Sequence, residues 1–129
     1  MARWTHLTIT VSDLPKSIDF YTEICGLVVV RDRRPEGRTV WLGAHKSLDE
    51  DPAFVLVLLP GEVGDRVGHL GFQCGLREEV DQIAARAERL GILEAPPTDS
   101  GGVVGYSTII RDPDGHLVEF THGQPIQGL

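Results

Sequence analysis

Two short segments of the chain alternate apolar with polar residues, and each contains a His-Leu pair near its start. They are Thr5–Val11 and Gly68–Cys74, and their histidines lie 63 residues apart in a chain of 129 residues. Because successive side chains of a β-strand point to opposite faces, this alternation predicts two half-buried strands. A spacing of half the chain length indicates two copies of one module.

A helical pattern of apolar residues follows each of these strands. The first copy has four such positions: Leu14, Ile18, Tyr21 and Cys25. The second copy has five: Val80, Ile83, Ala84, Ala87 and Leu90. Ser12 or Asp13 is suited to cap the first helix, and Pro15 to lie in its first turn. The two patterns end near Gly26 and Gly91, so we predict one amphipathic helix in each module.

Strand-like segments complete each module. In the first module they are Leu27–Val30, Arg38–Leu42 and Phe54–Leu59. In the second they begin at Leu93 and continue with Gly105–Arg111 and Leu117–Thr121. Each module therefore follows a βαβββ order, and the predicted fold class is α+β, with module one at residues 1–62 and module two at residues 63–129. Asp112–Gly115 favours a type I turn between the last two strands, and Pro96–Gly102 predicts a longer loop.

Charge and composition narrow the range of partners. Nineteen acidic against twelve basic residues give a net charge of −7, which repels phosphate backbones, so nucleic acid is not expected as a partner. The longest apolar run, Phe54–Leu59, is far shorter than the roughly 20 residues that cross a bilayer, so no membrane partner is expected either. We expect a cytoplasmic protein in which Cys25 and Cys74 are reduced packing residues.

Three strands carry a side chain able to bind a metal on the face predicted to point away from the helices. By strand alternation His6 shares this face with Thr8 and Thr10, and His69 shares it with Gly71 and Gln73. Glu119 shares it with Leu117 and Thr121, opposite Val118 and Phe120. Two imidazoles and one carboxylate form a facial ligand set that leaves coordination positions open for water or a substrate. The equivalent positions of the two histidines in the repeat favour this interpretation.

The pattern resembles the vicinal oxygen chelate superfamily, which includes glyoxalase I, fosfomycin-resistance proteins, bleomycin-resistance proteins and extradiol dioxygenases. The resemblance covers essentially the whole chain. Its markers are His6–Leu14, Phe20-Tyr21, Gly26-Leu27, Gly68–Leu70 and Asp112–Glu119.

The resemblance implies paired βαβββ modules that curl into a cleft and hold one divalent metal ion, Mn, Fe, Ni, Zn or Co. The implied ligands are His6, His69 and Glu119. It also implies a homodimer, and a module-swapped dimer would share each metal between His6 of one chain and the other two ligands of its partner. Glu119, Thr8 and Gln73 are the candidate catalytic residues, since the last two lie on the histidine faces and are able to orient a polar small-molecule substrate.

The subfamilies differ in residues that this chain lacks. Glyoxalase I carries a further metal-binding Glu on the last strand of its first module. Subtracting the repeat spacing of 63 from residue 119 leads to Leu56, and the neighbours of Leu56 are apolar. Only a nearby acid such as Glu62 is left to replace that glutamate. Fosfomycin-resistance proteins place a Tyr and a Lys where this chain has Ile109 and Asp99. Extradiol dioxygenases also have a Tyr at the position of Ile109 and a His upstream, while Tyr106 lies on the same strand with different parity.

Bleomycin-resistance proteins are acidic, dimeric and free of metal, and the charge of −7 suits that alternative. A complete set of two histidines and a glutamate does not, because a binding protein needs no converging ligands. We therefore predict a metal-dependent lyase or isomerase of the glyoxalase type acting on a small oxygenated metabolite. The dioxygenase, the metal-free binding protein and the fosfomycin-resistance transferase are the alternatives.

The remaining histidines and aromatic residues have ordinary structural interpretations. His45, His116 and His122 are expected to be solvated. The larger aromatic residues are expected in a core or an interface rather than at a substrate: Trp4, Trp41, Phe54 and Phe72.

Overall fold

Each half of the chain forms its own four-stranded mixed sheet with a helical segment after the first strand. The structure is a computed structural model that describes residues 4–44 and 54–124. The chain divides into a first unit at residues 1–65 and a second unit at residues 66–129. The βαβββ order predicted for each half is found in both units, and the α+β fold class is confirmed.

The first unit pairs its first strand with its last. In chain order its elements are β1 (His6–Val11), α1 (Leu14–Asp19), a π-helical turn (Phe20–Ile24), β2 (Val28–Asp32), β3 (Val40–Gly43) and β4 (Val55–Pro60). The strand order across the sheet is β1-β4-β3-β2, with β1 and β4 parallel and the other pairs antiparallel. Buried apolar side chains of β1, β3, β4 and the helical segment form the core of this unit.

The second unit repeats this topology. Its elements are β5 (Leu70–Gln73), α2 (Arg77–Leu90), β6 (Leu93–Asp99), β7 (Tyr106–Arg111) and β8 (Leu117–His122). The order across the sheet is β5-β8-β7-β6, again with the first and last strands parallel. The duplication inferred from the His-Leu spacing therefore extends to the order and direction of every strand.

The first helical segment is capped as predicted but changes its pitch. Asp13 is the cap, and its Oδ1 accepts a hydrogen bond from the Lys16 amide at 3.1 Å. After Asp19 the segment widens into the π-helical turn, in which the Cys25 amide donates to the Phe20 carbonyl at 3.3 Å. The extra residue per turn rotates the later side chains away from an ordinary helical stripe.

Consequently, the buried positions differ from the predicted set. Phe20 and Tyr21 are both buried, whereas Ile18 and Cys25 are only half-buried. The predicted face through Cys25 is wrong because it assumes 3.6 residues per turn throughout. Ile18 precedes the π-helical turn and lies at the margin of the α1 face that buries Leu14 and Ser17. Gly26, with φ of +75°, ends the segment as expected.

Helix α2 buries a narrower face than its apolar residues suggest. Val80, Ala84 and Ala87 are buried, but Leu90 is 56% exposed. At about 100° per residue, Leu90 lies about 80° around the helix from Val80, at the margin of the buried stripe. The prediction that Leu90 is a core residue is wrong. The helix ends at Gly91, whose left-handed φ of +71° closes it as predicted.

Strand β6 occupies much of the segment predicted to be a loop. It continues through Pro96 and Pro97 to Asp99, so the loop prediction for Pro96–Gly102 is wrong over its first part. The strand lies at the edge of its sheet, and its register with β7 shifts on both sides of Ala95. A proline is tolerated at such a position because its missing N–H need not join the ladder.

The turn between β7 and β8 forms as predicted. The Gly115 amide donates to the Asp112 carbonyl at 3.0 Å, and Asp112 Oδ1 accepts the amides of Asp114 and His116 at 2.9 and 2.8 Å. This turn makes β7 and β8 a hairpin. Cys25 is half-buried and Cys74 is buried, and burial raises the pKa of the Cys74 thiol. Over residues 4–44 and 54–124, no helix is long and apolar enough to cross a membrane.

Two leucine substitutions distinguish the observed core from the predicted one. Leu58 in β4 is fully buried, so Leu58→Ala is expected to lower the free energy of unfolding by about 3 kcal/mol through lost burial and a cavity. Leu90→Ala is expected to change it by less than about 0.5 kcal/mol. Urea denaturation followed by circular dichroism measures both. Equal losses would contradict this assignment of the core.

Candidate functional site

His69 and Glu119 lie together in the second unit. His69 Nε2 is 3.1 Å from Glu119 Oε2, and the two side chains are 56% and 13% exposed. His69 was predicted as a strand residue, but β5 begins one residue later, at Leu70. Glu119 lies in the middle of β8, between the buried Val118 and Phe120, so its carboxylate is on the opposite face from that core, as strand alternation predicts.

The pairing of β5 with β8 explains why these two side chains meet. Gly71 lies directly opposite Glu119 in the parallel register. A Cβ built at Gly71 would have no atom within 4 Å, so the space beside the carboxylate is open. The imidazole of His69, two residues earlier in the chain than Gly71, contacts the Glu119 carboxylate.

The hairpin that carries Glu119 also holds the backbone that leads to His69. The Val67 amide donates to His116 Nδ1 at 3.3 Å, and Arg66 Nε donates to the Asp114 carbonyl at 2.6 Å. His116 is only 2% exposed, so the expectation that it is solvated is wrong. Its parity in the sequence was the missed signal, since position 116 alternates in step with the buried Val118 and Phe120.

His6 lies in the first unit, at the start of β1, with an exposed side chain. Its Nδ1 is 3.0 Å from the Thr5 hydroxyl. It lines an open cavity of about 360 Å³ with seven other residues: Thr5, Thr8, Arg33, Thr39, Trp41, Val55 and Val57. Thr8 therefore shares a surface with His6, and its catalytic role stays a prediction.

The first unit has a valine at the position equivalent to Glu119. In the second unit Glu119 pairs with Gly71, two residues after His69. In the first unit the residue two after His6 is Thr8, and it pairs with Val57. The register thus assigns the equivalence to Val57 rather than to Leu56, which simple subtraction indicated. Val57 is buried, and its side chain is no metal ligand.

Gln73 and Thr121 lie opposite one another in the register of β5 and β8. Gln73 Nε2 donates to the Gln124 carbonyl at 3.2 Å, so part of its amide is already engaged. The Thr121 hydroxyl is buried and has no hydrogen-bond partner among the described residues. His122 follows on β8 and is half-buried rather than fully solvated, with Nδ1 3.4 Å from the Cys74 carbonyl. His45 lies outside the described residues.

The aromatic residues divide between surface, cavity and core. Trp4 is 76% exposed and contacts Phe54 edge to face at 5.2 Å, so it is not a core residue of this chain. Trp41 is half-buried and lines the first-unit cavity, a role that the sequence interpretation missed. Phe72 stacks on Phe120 at 5.4 Å within the second unit, as expected for a core residue.

Tyr106 is engaged on the helix side of its sheet. Its hydroxyl donates to Asp81 of α2, and the Arg77 guanidinium lies over its ring, 3.8 Å from the centroid. The bond to Asp81 raises the pKa of the Tyr106 phenol. Arg77 also pairs with Asp99 at 3.0 Å and lowers the pKa of that carboxyl. These contacts leave the Tyr106 hydroxyl committed to α2.

The three predicted metal ligands are divided between the units, with His6 in the first and His69 and Glu119 in the second. Within the described part of the chain, no group of three or more His, Cys, Asp and Glu side chains is placed to hold a metal. The three-ligand site therefore stays a prediction.

The pair in the second unit fits a metal ion. Bonds from a metal to histidine nitrogen and carboxylate oxygen are about 2.0–2.2 Å long, so two adjacent ligand atoms are separated by about 3 Å. The observed separation of 3.1 Å between His69 Nε2 and Glu119 Oε2 agrees with this requirement. The donor set, one imidazole and one carboxylate, suits several first-row divalent metals.

Comparisons with known proteins agree with this architecture. The family model of the Glyoxalase/Bleomycin resistance protein/Dioxygenase superfamily matches residues 3–120. The chain is 38% identical over 128 residues to an uncharacterised protein of Pseudomonas aeruginosa, covering 95% of this chain and 89% of that one. It is 30% identical over 128 residues to the lactoylglutathione lyase of Neisseria meningitidis, covering 92% and 88%.

The fold is also similar to a solved structure. This is the genomically encoded fosfomycin resistance protein FosX from Listeria monocytogenes in complex with Mn(II) and a sulfate ion. The TM-score is 0.72 at 23% identity, and the match covers 95% of this chain and 91% of that one. At this identity the likeness concerns the fold.

One ion pair beside the first-unit cavity has a measurable electrostatic effect. Arg34 donates to both oxygens of Asp32, at 2.9 and 2.7 Å, and its guanidinium holds the pKa of that carboxyl at about 2, below the ordinary 3.8. Because the folded-state pKa is lowered, the pair stabilises the folded state above pH 3.8, and this contribution is lost as the pH falls towards 2.

We therefore predict that Arg34→Gln raises the pKa of Asp32 towards 3.8, because the charged donor is removed. Carboxyl-carbon NMR titration of the folded protein measures the midpoint directly. Arg86→Gln, which removes an exposed arginine from α2, is the control and should leave the Asp32 midpoint in place. An unchanged midpoint in Arg34→Gln would contradict the assigned cause.

Proposed function

The chain belongs to the glyoxalase/bleomycin resistance protein/dioxygenase superfamily, and from that premise we propose that it is a divalent-metal-dependent lyase or isomerase of the glyoxalase type. Its substrate is a small oxygenated metabolite. The observation that carries the proposal is the contact between His69 Nε2 and Glu119 Oε2 at a separation suited to shared coordination.

The proposed metal ligands are His6, His69 and Glu119. The Listeria protein, whose fold is similar, was solved in complex with Mn(II). A divalent ion in this set would supply Lewis-acid polarisation of two adjacent substrate oxygens. The choice among Mn, Fe, Ni, Zn and Co is open, because two histidines and a carboxylate accommodate each of them.

The protein side chains would bind and orient the substrate around this set. Glu119 is 13% exposed, and at this burial its charge interacts more strongly than it would in bulk water. We assign its carboxylate a second role, as the group that receives a proton from the carbon next to the polarised carbonyl. The Thr8 hydroxyl, beside His6 in the first-unit cavity, and the Gln73 amide would hold substrate oxygens in position.

Lactoylglutathione lyase activity is not part of the proposal, although the Neisseria relative bears that name. The resemblance to glyoxalase I implies a fourth ligand, a glutamate, on the last strand of the first module. The register places Val57 at that position, and Trp41 is its neighbour on β3. A buried valine beside an indole forms an apolar surface where that enzyme needs a carboxylate.

The ring-cleaving alternative is disfavoured by the residue beside Glu119. The resemblance to extradiol dioxygenases implies a tyrosine at position 109, but Ile109 lies opposite Glu119 in the register of β7 and β8. Tyr106 does not replace it, because its hydroxyl donates to Asp81. The fosfomycin-resistance transferase alternative is also disfavoured. The lysine that the resemblance implies is replaced here by Asp99, an anion paired with Arg77.

We also propose a homodimer that shares each metal between chains. Each sheet has two edge strands, β1 and β2 in the first unit and β5 and β6 in the second. An open strand edge presents backbone groups that a second chain is able to cover. In a module-swapped dimer, His6 of one chain would join His69 and Glu119 of the other.

Loss of metal binding on substitution is the first test. His6→Ala, His69→Ala and Glu119→Ala are each expected to weaken Mn(II) or Zn(II) binding at least about tenfold, because each removes one of three ligand bonds. His122→Ala is the matched control, since His122 is on β8 with Glu119 but contacts the Cys74 carbonyl. Isothermal titration of the metal-free protein measures affinity and stoichiometry. Unchanged binding in His69→Ala and Glu119→Ala would refute the site.

A mixed dimer tests whether two chains share each metal site. His6→Ala and Glu119→Ala chains with different tags are refolded together, and the heterodimer is isolated through both tags. A module-swapped arrangement restores one intact site of the two, because one site receives both substitutions and the other neither. An arrangement within single chains leaves both sites damaged. A light-scattering mass near the 14.1 kDa of one chain would exclude the dimer.

The reaction class has its own test. Because Ile109 supplies no acid or base beside Glu119, turnover is expected to proceed without oxygen consumption. It is also expected to continue when Fe(II) is replaced by Zn(II) or Mg(II), which have no redox chemistry. Oxygen uptake in step with the opening of a catechol ring, abolished by Zn(II), would overturn the proposal in favour of a dioxygenase.

A further inference from the structure

The first-unit cavity has an apolar wall built from β3 and β4. Trp41 of β3 lies opposite Val57 of β4 in the register, and Val55 lines the same wall. The Trp41 indole N–H already donates to the Thr39 hydroxyl at 3.0 Å, so the polar atom of the ring is satisfied within the protein. The ring therefore offers an apolar surface. A cavity of about 360 Å³ falls in the range of pockets that hold small organic molecules.

Arg33 lines the same cavity, and its backbone is held by two hydrogen bonds. Its amide donates to the Thr39 carbonyl at 3.1 Å, and its carbonyl accepts the Gly37 amide at 2.6 Å. A Cβ at Gly37 would lie 2.9 Å from Arg33 Cβ and 3.2 Å from its Nε. Since no side chain larger than that of glycine fits there without displacing it, the arginine side chain lies against residue 37.

The charged side chains next to Arg33 in the sequence are engaged with other partners. Arg34 engages both oxygens of Asp32, and Arg38 donates to the Pro60 carbonyl at 2.6 Å. Over residues 4–44 and 54–124, Arg33 forms no ion pair. In a chain with net charge −7, a cation that lines an apolar cavity and has no ion pair among the described residues favours the binding of an anion at that cavity.

We propose that the first-unit cavity binds a small organic acid with an apolar body. Arg33 binds the carboxylate or phosphonate group, with the Thr5 and Thr39 hydroxyls beside it, and Trp41 and Val57 contact the apolar part. A planar guanidinium suits either anion, because it donates two parallel hydrogen bonds. The proposal rests on the proposed function in one respect: it names the substrate class of that same site, since His6 lines this cavity.

The test uses four probes on the full-length protein carrying Trp4→Phe, so that Trp41 alone reports binding by fluorescence. The probes are phenylacetate, its neutral amide phenylacetamide, acetate, and phenylphosphonate. We expect an aromatic acid to bind at least about tenfold more tightly than phenylacetamide, because only the acid pairs with Arg33. We expect acetate to bind at least about tenfold more weakly than phenylacetate, because it lacks the body that contacts Trp41.

Arg33→Gln is expected to remove the preference for acid over amide, and Arg86→Gln, which removes one positive charge from α2 in the second unit, is expected to retain it. The tighter binder of phenylacetate and phenylphosphonate identifies the anion, provided that its higher affinity relative to the other acid disappears in Arg33→Gln. Equal affinity for acid and amide, an acid preference retained in Arg33→Gln, or no binding of either acid would overturn the inference.

Metal titration of the same samples separates this inference from the proposed function. Arg33→Gln is expected to bind metal with unchanged stoichiometry, since Arg33 is not among the proposed ligands. Metal binding without an acid preference would refute the acid site alone. An acid preference dependent on Arg33 in a chain that binds no metal would refute the enzyme proposal and leave the acid site standing.

Discussion

The parallel pairing of the first strand with the last strand in each unit decides which side chains meet. In the second unit this pairing sets Gly71 against Glu119, and His69, two residues before Gly71, contacts the carboxylate. A slip of one residue would turn Glu119 towards the core and a buried apolar residue towards the open face. The buried Val118 and Phe120 oppose such a slip, because their burial stabilises only the observed register. The position of the candidate ligand pair is thus a consequence of core packing on the other face of the sheet.

The same register in the first unit leads to a different surface. The pairing of Thr8 with Val57 repeats that of Gly71 with Glu119, so the two units have one backbone plan and different chemistry on it. One unit has a carboxylate at this position, and the other has a buried valine beside Trp41. A duplicated fold permits the two units to carry different side chains at equivalent positions, because a substitution in one copy leaves the backbone hydrogen bonds of both copies unchanged. The first unit retains His6 as a candidate ligand within a surface that is otherwise suited to an organic group.

Strand alternation and the His-Leu repeat were sufficient to predict the order of the elements, the face of β1 and the side of β8 that carries Glu119, whereas Thr121, predicted on the same open side, is buried. Those features depend on a period of two that any half-buried strand must keep. The pitch change after Asp19 was not predictable in this way, since a π-helical turn depends on how Phe20 and Tyr21 fit the core. Strand β6 through Pro96 and Pro97 depends on its place at a sheet edge, and an edge is a property of the assembled sheet.

The buried His116 shows how a residue outside the ligand set is tied to it. Its Nδ1 accepts the Val67 amide, so the ring carries its proton on Nε2 when neutral, and its own amide is held by Asp112. Replacing this ring with an apolar one would leave the Val67 amide without its acceptor, two residues before His69. Glu119 follows His116 by three residues on the same hairpin, so both members of the candidate ligand pair depend on the Asp112–His116 turn. The turn therefore acts on the site through the backbone of His69 and the strand of Glu119 together, although none of its side chains is a proposed ligand.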